Sequence, residues 1–177
     1  MFCELHTRSA FSFLSSGSQP QRLAIRSAEL GMSHIALLDR DTVAGAVRFH
    51  FEAKELGLKP TIGAEITMED GSLLPLVPLD RAGYENLSKL ITTIKLRSRK
   101  GEHFATREDI EEHSANLMCF TGGSDGFIHN SIKNGRGLED LAWLNYVFEK
   151  RLYVELQRHH LRSEEHINQV LLGYAHK

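Results

Sequence analysis

The chain has 177 residues, 41% of them hydrophobic, with 21 basic and 23 acidic side chains and a formal net charge of −2. That length supports one domain with a real core, and the near balance of charge argues against a domain whose main task is to coat nucleic acid. No run of about 18 apolar residues exists, and MFCELHTRS has neither a basic leader nor an apolar signal core, so the expectation is a cytoplasmic protein with no membrane partner.

The two cysteines, Cys3 and Cys119, match no zinc or redox spacing and fit a reducing compartment. Met1 to His6 reads as a first strand whose exit carries His6, Arg8 and a hydroxyl-rich loop from Ser9 to Ser18. Ser18 followed by Pro20 is a helix start, and Gly31 stops that helix after Leu30. His34 to Leu38 is a short apolar run halted by Asp39-Arg40-Asp41-Thr42, as a buried parallel strand would be. Asp41 or Thr42 is placed to cap the next helix. Ala46, Phe49, Ala53 and Leu56 give that helix one apolar stripe, and Gly57 ends it. Thr61 to Ile66 then supplies a second strand, which a right-handed crossover sets parallel to the first. This unit, His34 to Glu65, organises the chain, because sites in such sheets form at the carboxyl ends of strands, where Asp39, Arg40 and Glu65 stand.

Ile66 to Met68, the turn Glu69-Asp70-Gly71 and Leu73 to Leu79 read as a hairpin, whose Pro75 and Pro78 point to an edge strand. Tyr84, Leu87, Ile91 and Ile94 mark a helix ending in Lys95, Arg97, Arg99 and Lys100. That basic cluster has two readings: solvated cations favoured by the helix dipole, or a phosphate contact. Thr106-Arg107-Glu108-Asp109 starts a short helix to His113 without a strict capping box, and the strand Asn116 to Phe120 follows. Gly122-Gly123 behind it is either a tight structural turn or one that exposes backbone N–H groups to an anion. Gly137 to Lys150 is a helix, Leu152 to Leu156 a strand with the polar exit Gln157-Arg158-His159-His160, and a last helix carries Ile167, Val170, Leu171 and Tyr174. This helix has no terminating signal, so a longer parent chain is expected.

Taken together these motifs resemble the polymerase and histidinol phosphatase (PHP) domain at the N-terminus of bacterial family C DNA polymerases. The resemblance rests on Glu4-Leu5-His6 through Phe11-Ser12-Phe13-Leu14, on Leu38 to Asp41 with Ala44 to Arg48, on Gly63-Ala64-Glu65, and on Tyr153 to His160. Asp39-Arg40, Lys100-Gly101-Glu102, Thr121-Gly122-Gly123 and Leu156 to His160 look closest to the error-prone, damage-tolerant branch. It implies an α/β fold, a distorted barrel of seven parallel strands with outer helices, truncated here at the C-terminal end. Residues 1–177 would form an incomplete PHP domain, with polymerase domains following.

Active members of that superfamily hold up to three divalent metals with His, Asp and Glu and hydrolyse phosphoesters with metal-activated water. Carried over by the resemblance, His6, Glu65 and His159 remain as metal ligands. Four matching positions have changed: Arg8 and Arg40 stand for histidines, Ser15 for an acid and Leu73 for a histidine. A guanidinium has no lone pair for a metal and stays cationic, so the metal site reads as dismantled. Arg8 and Arg40 are then expected to pair with Glu65 and Asp39, so that buried carboxylates are not left uncompensated.

The resulting expectation is a structural domain with no catalytic residue and no cofactor of its own, supporting a DNA-directed DNA polymerase in error-prone repair or replication. Its partners would be the rest of the polymerase chain and, through it, DNA; magnesium would serve the parent's nucleotidyl transfer. The alternative is an active phosphoesterase, a 3′-5′ exonuclease or small-molecule phosphatase, with zinc or manganese. A third reading is an unrelated α/β protein that binds partners through the helix from Tyr84 to Lys100.

Overall fold

The structure is a computed structural model that describes residues 2–99, 101–157 and 162–175. Its elements are β1 (Glu4–Thr7), α1 (Pro20–Glu29), β2 (His34–Arg40), α2 (Ala46–Glu55), β3 (Lys59–Thr67), β4 (Leu73–Pro78), α3 (Arg81–Arg97), α4 (Arg107–His113), β5 (Leu117–Phe120), α5 (Phe127–Lys133), α6 (Gly137–Phe148), a 3₁₀ turn (Glu149–Arg151), β6 (Leu152–Tyr153) and α7 (Arg162–Ala175). The strands form one six-stranded sheet in sequence order. It curls into a half-barrel with the helices outside.

β1, β2 and β3 run parallel, and β5 and β6 run parallel, whereas β4 is antiparallel to both β3 and β5. The described sheet therefore has six strands of a seven-stranded plan, with one of them, β4, reversed. The reversal follows from the connection: Gly71, at φ +79°, closes a turn too short for a crossover helix. β4 is also central rather than an edge. Its pairing with β5 covers only Leu76 to Pro78, so Pro75 faces a β3 partner on one side and lies beyond the β5 ladder on the other.

Strand alternation sorts the side chains. Leu37 packs with α1 and α2 through Ala24, Phe49 and Ala53, while Ala36 and Leu38 join Val77 and Phe120 in a separate small core. The larger core gathers Ala64, Ile66, Leu74 and Leu76 under Leu87, Leu90 and Ile94 of α3 and Leu144 and Phe148 of α6. Burial of these side chains is the main favourable term for the fold.

Helix boundaries follow local chemistry. Pro20 opens α1, and Leu30 followed by Gly31, at φ +71°, closes it. Neither Asp41 nor Thr42 caps α2; the N-cap is Gly45. Thr106 does form a capping box, with Asp109 supplying the carboxylate in place of the usual glutamate. α6 stops at Phe148, and β6 is shorter than the run Leu152 to Leu156 because only Leu152 and Tyr153 find partners, on Cys119 and Phe120.

Candidate functional site

At the carboxyl ends of β1, β2 and β3, one ionic network fills the mouth of the half-barrel. Glu65 is 1% exposed, on β3 directly beside Arg40 of β2. It accepts Arg8 Nη2 on Oε1 at 2.6 Å and Arg8 Nε on Oε2, so one guanidinium covers both carboxylate oxygens. Arg8 Nη2 also reaches Asp125 Oδ2 at 2.8 Å. Burial works against the Arg8 charge, but Glu65 and then Asp125 hold it more firmly protonated than an ordinary arginine.

His6 lies between two carboxylates. Its Nε2 is 2.7 Å from Glu65 Oε1, and its Nδ1 is 2.8 and 2.9 Å from the two oxygens of Glu155. Burial alone would lower its pKa. The hydrogen bonds and charges of Glu155 and Glu65 overcome that and push it up to about 10, so the ring is an imidazolium near neutral pH, donating from both nitrogens. Glu155 is steadied by Gln157, whose Nε2 donates to Oε1 at 2.6 Å, and by its own N–H on Thr121 Oγ1 at 2.9 Å.

Asp39 is managed differently. It accepts Ser9 N and Ser9 Oγ, both at 2.7 Å, and Ser12 Oγ at 2.6 Å. A Cβ on Gly45 would come within 3.0 Å of Asp39 Oδ2, so glycine there leaves room for the carboxylate. The expected Arg40 to Asp39 pair is absent. Adjacent strand residues point to opposite faces, and Arg40 instead donates from Nε to Thr67 Oγ1 at 3.1 Å. Asp41, at φ +51°, accepts Thr67 N at 2.8 Å and Thr67 Oγ1 at 2.6 Å, with His103 Nε2 3.3 Å away.

The remaining substituted positions do not join the network through their side chains. Ser15 is exposed on the 9–18 loop, and Leu73 is buried opposite Thr67. In the basic cluster, Arg97 is committed to Asp109, at 3.0 and 2.7 Å, and to the Phe104 carbonyl. Lys95 and Arg99 are exposed. His159 and Lys100 lie outside the described residues. Two network members were not singled out by sequence reasoning, Glu155 and Asp125. Glu155 was visible as the only acid between Leu152 and Gln157; Asp125, in a loop, had no periodic signal.

Among the described residues, no group of three or more His, Cys, Asp or Glu side chains is arranged to hold a metal ion. Both Glu65 oxygens face the Arg8 guanidinium, which has no lone pair to share with a metal. No described helix is long and apolar enough to cross a membrane.

A curled α/β sheet with polar side chains converging at its strand exits defines a barrel-type architecture, and comparison with known proteins narrows it. The model of the PHP domain family matches residues 4–159. An error-prone DNA polymerase of Methylococcus capsulatus is 44% identical over 113 residues, 64% of this chain and 11% of that protein. The DNA polymerase III subunit alpha of Borreliella burgdorferi is 30% identical over 191 residues, covering 98% of this chain and 17% of that one. The chain thus spans less than a fifth of the length of these curated relatives. Among solved structures, a protein from Bifidobacterium adolescentis described as a metal-dependent phosphoesterase superposes with a TM-score of 0.63 at 15% identity, over 97% of this chain and 83% of that one. That likeness concerns the fold. The chain belongs to the PHP domain family.

Proposed function

We propose that residues 1–177 are the N-terminal PHP domain of a DNA-directed DNA polymerase of the error-prone branch, acting in repair and lesion bypass as a structural module. Its polymerase domains would follow in the parent chain, in the cytoplasm, and contact with DNA would come through that parent. Nucleotidyl transfer would use magnesium there, on residues this chain does not contain.

The observation that carries the structural reading is Arg8 on Glu65. A metal ligand must offer lone pairs, whereas here a fixed cation covers the carboxylate and His6 adds a second one. The residues present do not fit a divalent ion, so we assign no hydrolytic step to them. Arg8 and His6 supply the positive charge that a buried Glu65 requires.

Elemental analysis of protein purified without chelator, together with manganese and zinc titration read by the unfolding midpoint, tests this. We expect no stoichiometric ion and a midpoint unmoved by metal or chelator. Two or three tightly bound ions would overturn the structural reading in favour of an active phosphoesterase, with His6→Ala and Glu65→Ala as the controls for its assay.

A further inference from the structure

The rim of the mouth carries two features that the ionic network leaves unused. The first is Arg40, whose side chain is 44% exposed. Its Nε is held by Thr67 Oγ1 and lies 3.7 Å from Asp41 Oδ2, while among the described residues neither terminal nitrogen has a hydrogen-bond partner. The stem is fixed from behind and most of the fork's donors are unspent.

The second is the tip of the 9–18 loop. Phe13 is 83% and Leu14 91% exposed, and Leu14 sits at φ +61°, a region costly for a residue with a side chain. The loop is braced. Ser9 and Ser12 bind Asp39, Ala10 N donates to Ser18 O at 2.7 Å, Ser15 N to Ser12 O at 2.9 Å, and Ser16 Oγ to Arg8 O at 2.9 Å. Arg40 N donates to Ser12 Oγ at 3.0 Å, which sets the residue before Phe13 against the residue bearing the free fork.

We infer that this rim binds single-stranded DNA, with the Arg40 fork on a backbone phosphate and Phe13 stacked on an unpaired base. A guanidinium matches a phosphate bidentately, and an aromatic face accepts any base. A purely apolar partner would leave the Arg40 donors unpaired, and a duplex would hide the base faces from Phe13. The inference rests on the proposed polymerase role and adds a direct contact to it. With a net charge of −2 on the chain, the contact is local and weak.

Fluorescence anisotropy with a labelled oligothymidylate of about twelve nucleotides, at low salt, reads the contact. A saturable rise is expected, and Phe13→Ala and Arg40→Gln should each weaken it by roughly fivefold or more, the low end of a lost base stack or phosphate contact. Arg40→Gln should also flatten the plot of log affinity against log salt by about 0.7, one phosphate's share, which Phe13→Ala should not. Tyr146→Ser, at an exposed position on α6, is the control and should change nothing. Unfolding midpoints, taken on the same preparations, should stay put for both rim variants. Absence of saturable binding, or binding indifferent to both variants, overturns the inference. Metal content separates the two readings: bound ions would refute the structural role, whereas a metal-free protein that ignores the oligonucleotide would refute the rim alone.

Discussion

Two buried acids stand at neighbouring strand ends and are kept by opposite means. Glu65 on β3 is neutralised by full charges, Arg8 and a protonated His6. Asp39 on β2 is held, among the described residues, by a backbone N–H and two serine hydroxyls. A carboxylate can thus be kept in a sheet mouth either by counter-charge or by dense neutral donation, and the two should fail differently. Removing a counter-charge strands an ion in low dielectric, while removing one of several hydroxyls forfeits a single hydrogen bond.

The largest expected effect is therefore Arg8→Met, which leaves Glu65 with His6 alone and should cost about 3 kcal/mol in urea unfolding. Adding Glu65→Leu should recover most of that loss; if the double variant is as unstable as the single, Glu65 is not the acid that Arg8 serves. Next comes pH. His6 is raised from 6.5 to about 10, so its stabilisation is fully present below about 6.5 and is lost as pH rises toward 10. Wild-type stability should fall across that window, and His6→Gln should flatten the slope in a pH series of unfolding midpoints.

The serine network should respond more mildly. Ser9→Ala and Ser12→Ala are each expected to cost about 1–2 kcal/mol, since every variant leaves Asp39 other donors. A Ser12→Ala loss as large as that of Arg8→Met would erase the distinction between the two acids. Smallest is Arg40→Ala, at about 0.5 kcal/mol or less, because its hydrogen bond to Thr67 and its long 3.7 Å approach to Asp41 are both made from a half-exposed side chain. A marked drop in midpoint would show that Arg40 compensates the buried charge of Asp41 despite that distance.

Periodicity made the outline of this fold readable. The apolar run at His34 to Leu38, the stripe Ala46, Phe49 and Ala53, and the restart after Gly57 yielded β2, α2 and β3 in their observed order. What failed depended on partners that sequence does not display. Two prolines suggested an edge for β4, yet β5 is short enough to leave Pro75 beyond its ladder. Asp41 looked like a helix cap and instead binds Thr67, 26 residues on. In the site, the placement of Glu65 beside Arg40 followed from parallel register, whereas the Arg40 to Asp39 pair ignored the alternation of a strand. Asp125 came from a loop whose path only tertiary structure defines.

The link from His6 to Glu155 spans 149 residues, whereas Arg8 meets Glu65 across 57. On a ribosome adding about 5–20 residues per second, the shorter link becomes available first and the longer one waits on the order of ten seconds more. The imidazole can meet its second carboxylate only after Glu155 has been made, so both partners of the Arg8 to Glu65 link exist in the chain well before both partners of the His6 to Glu155 link.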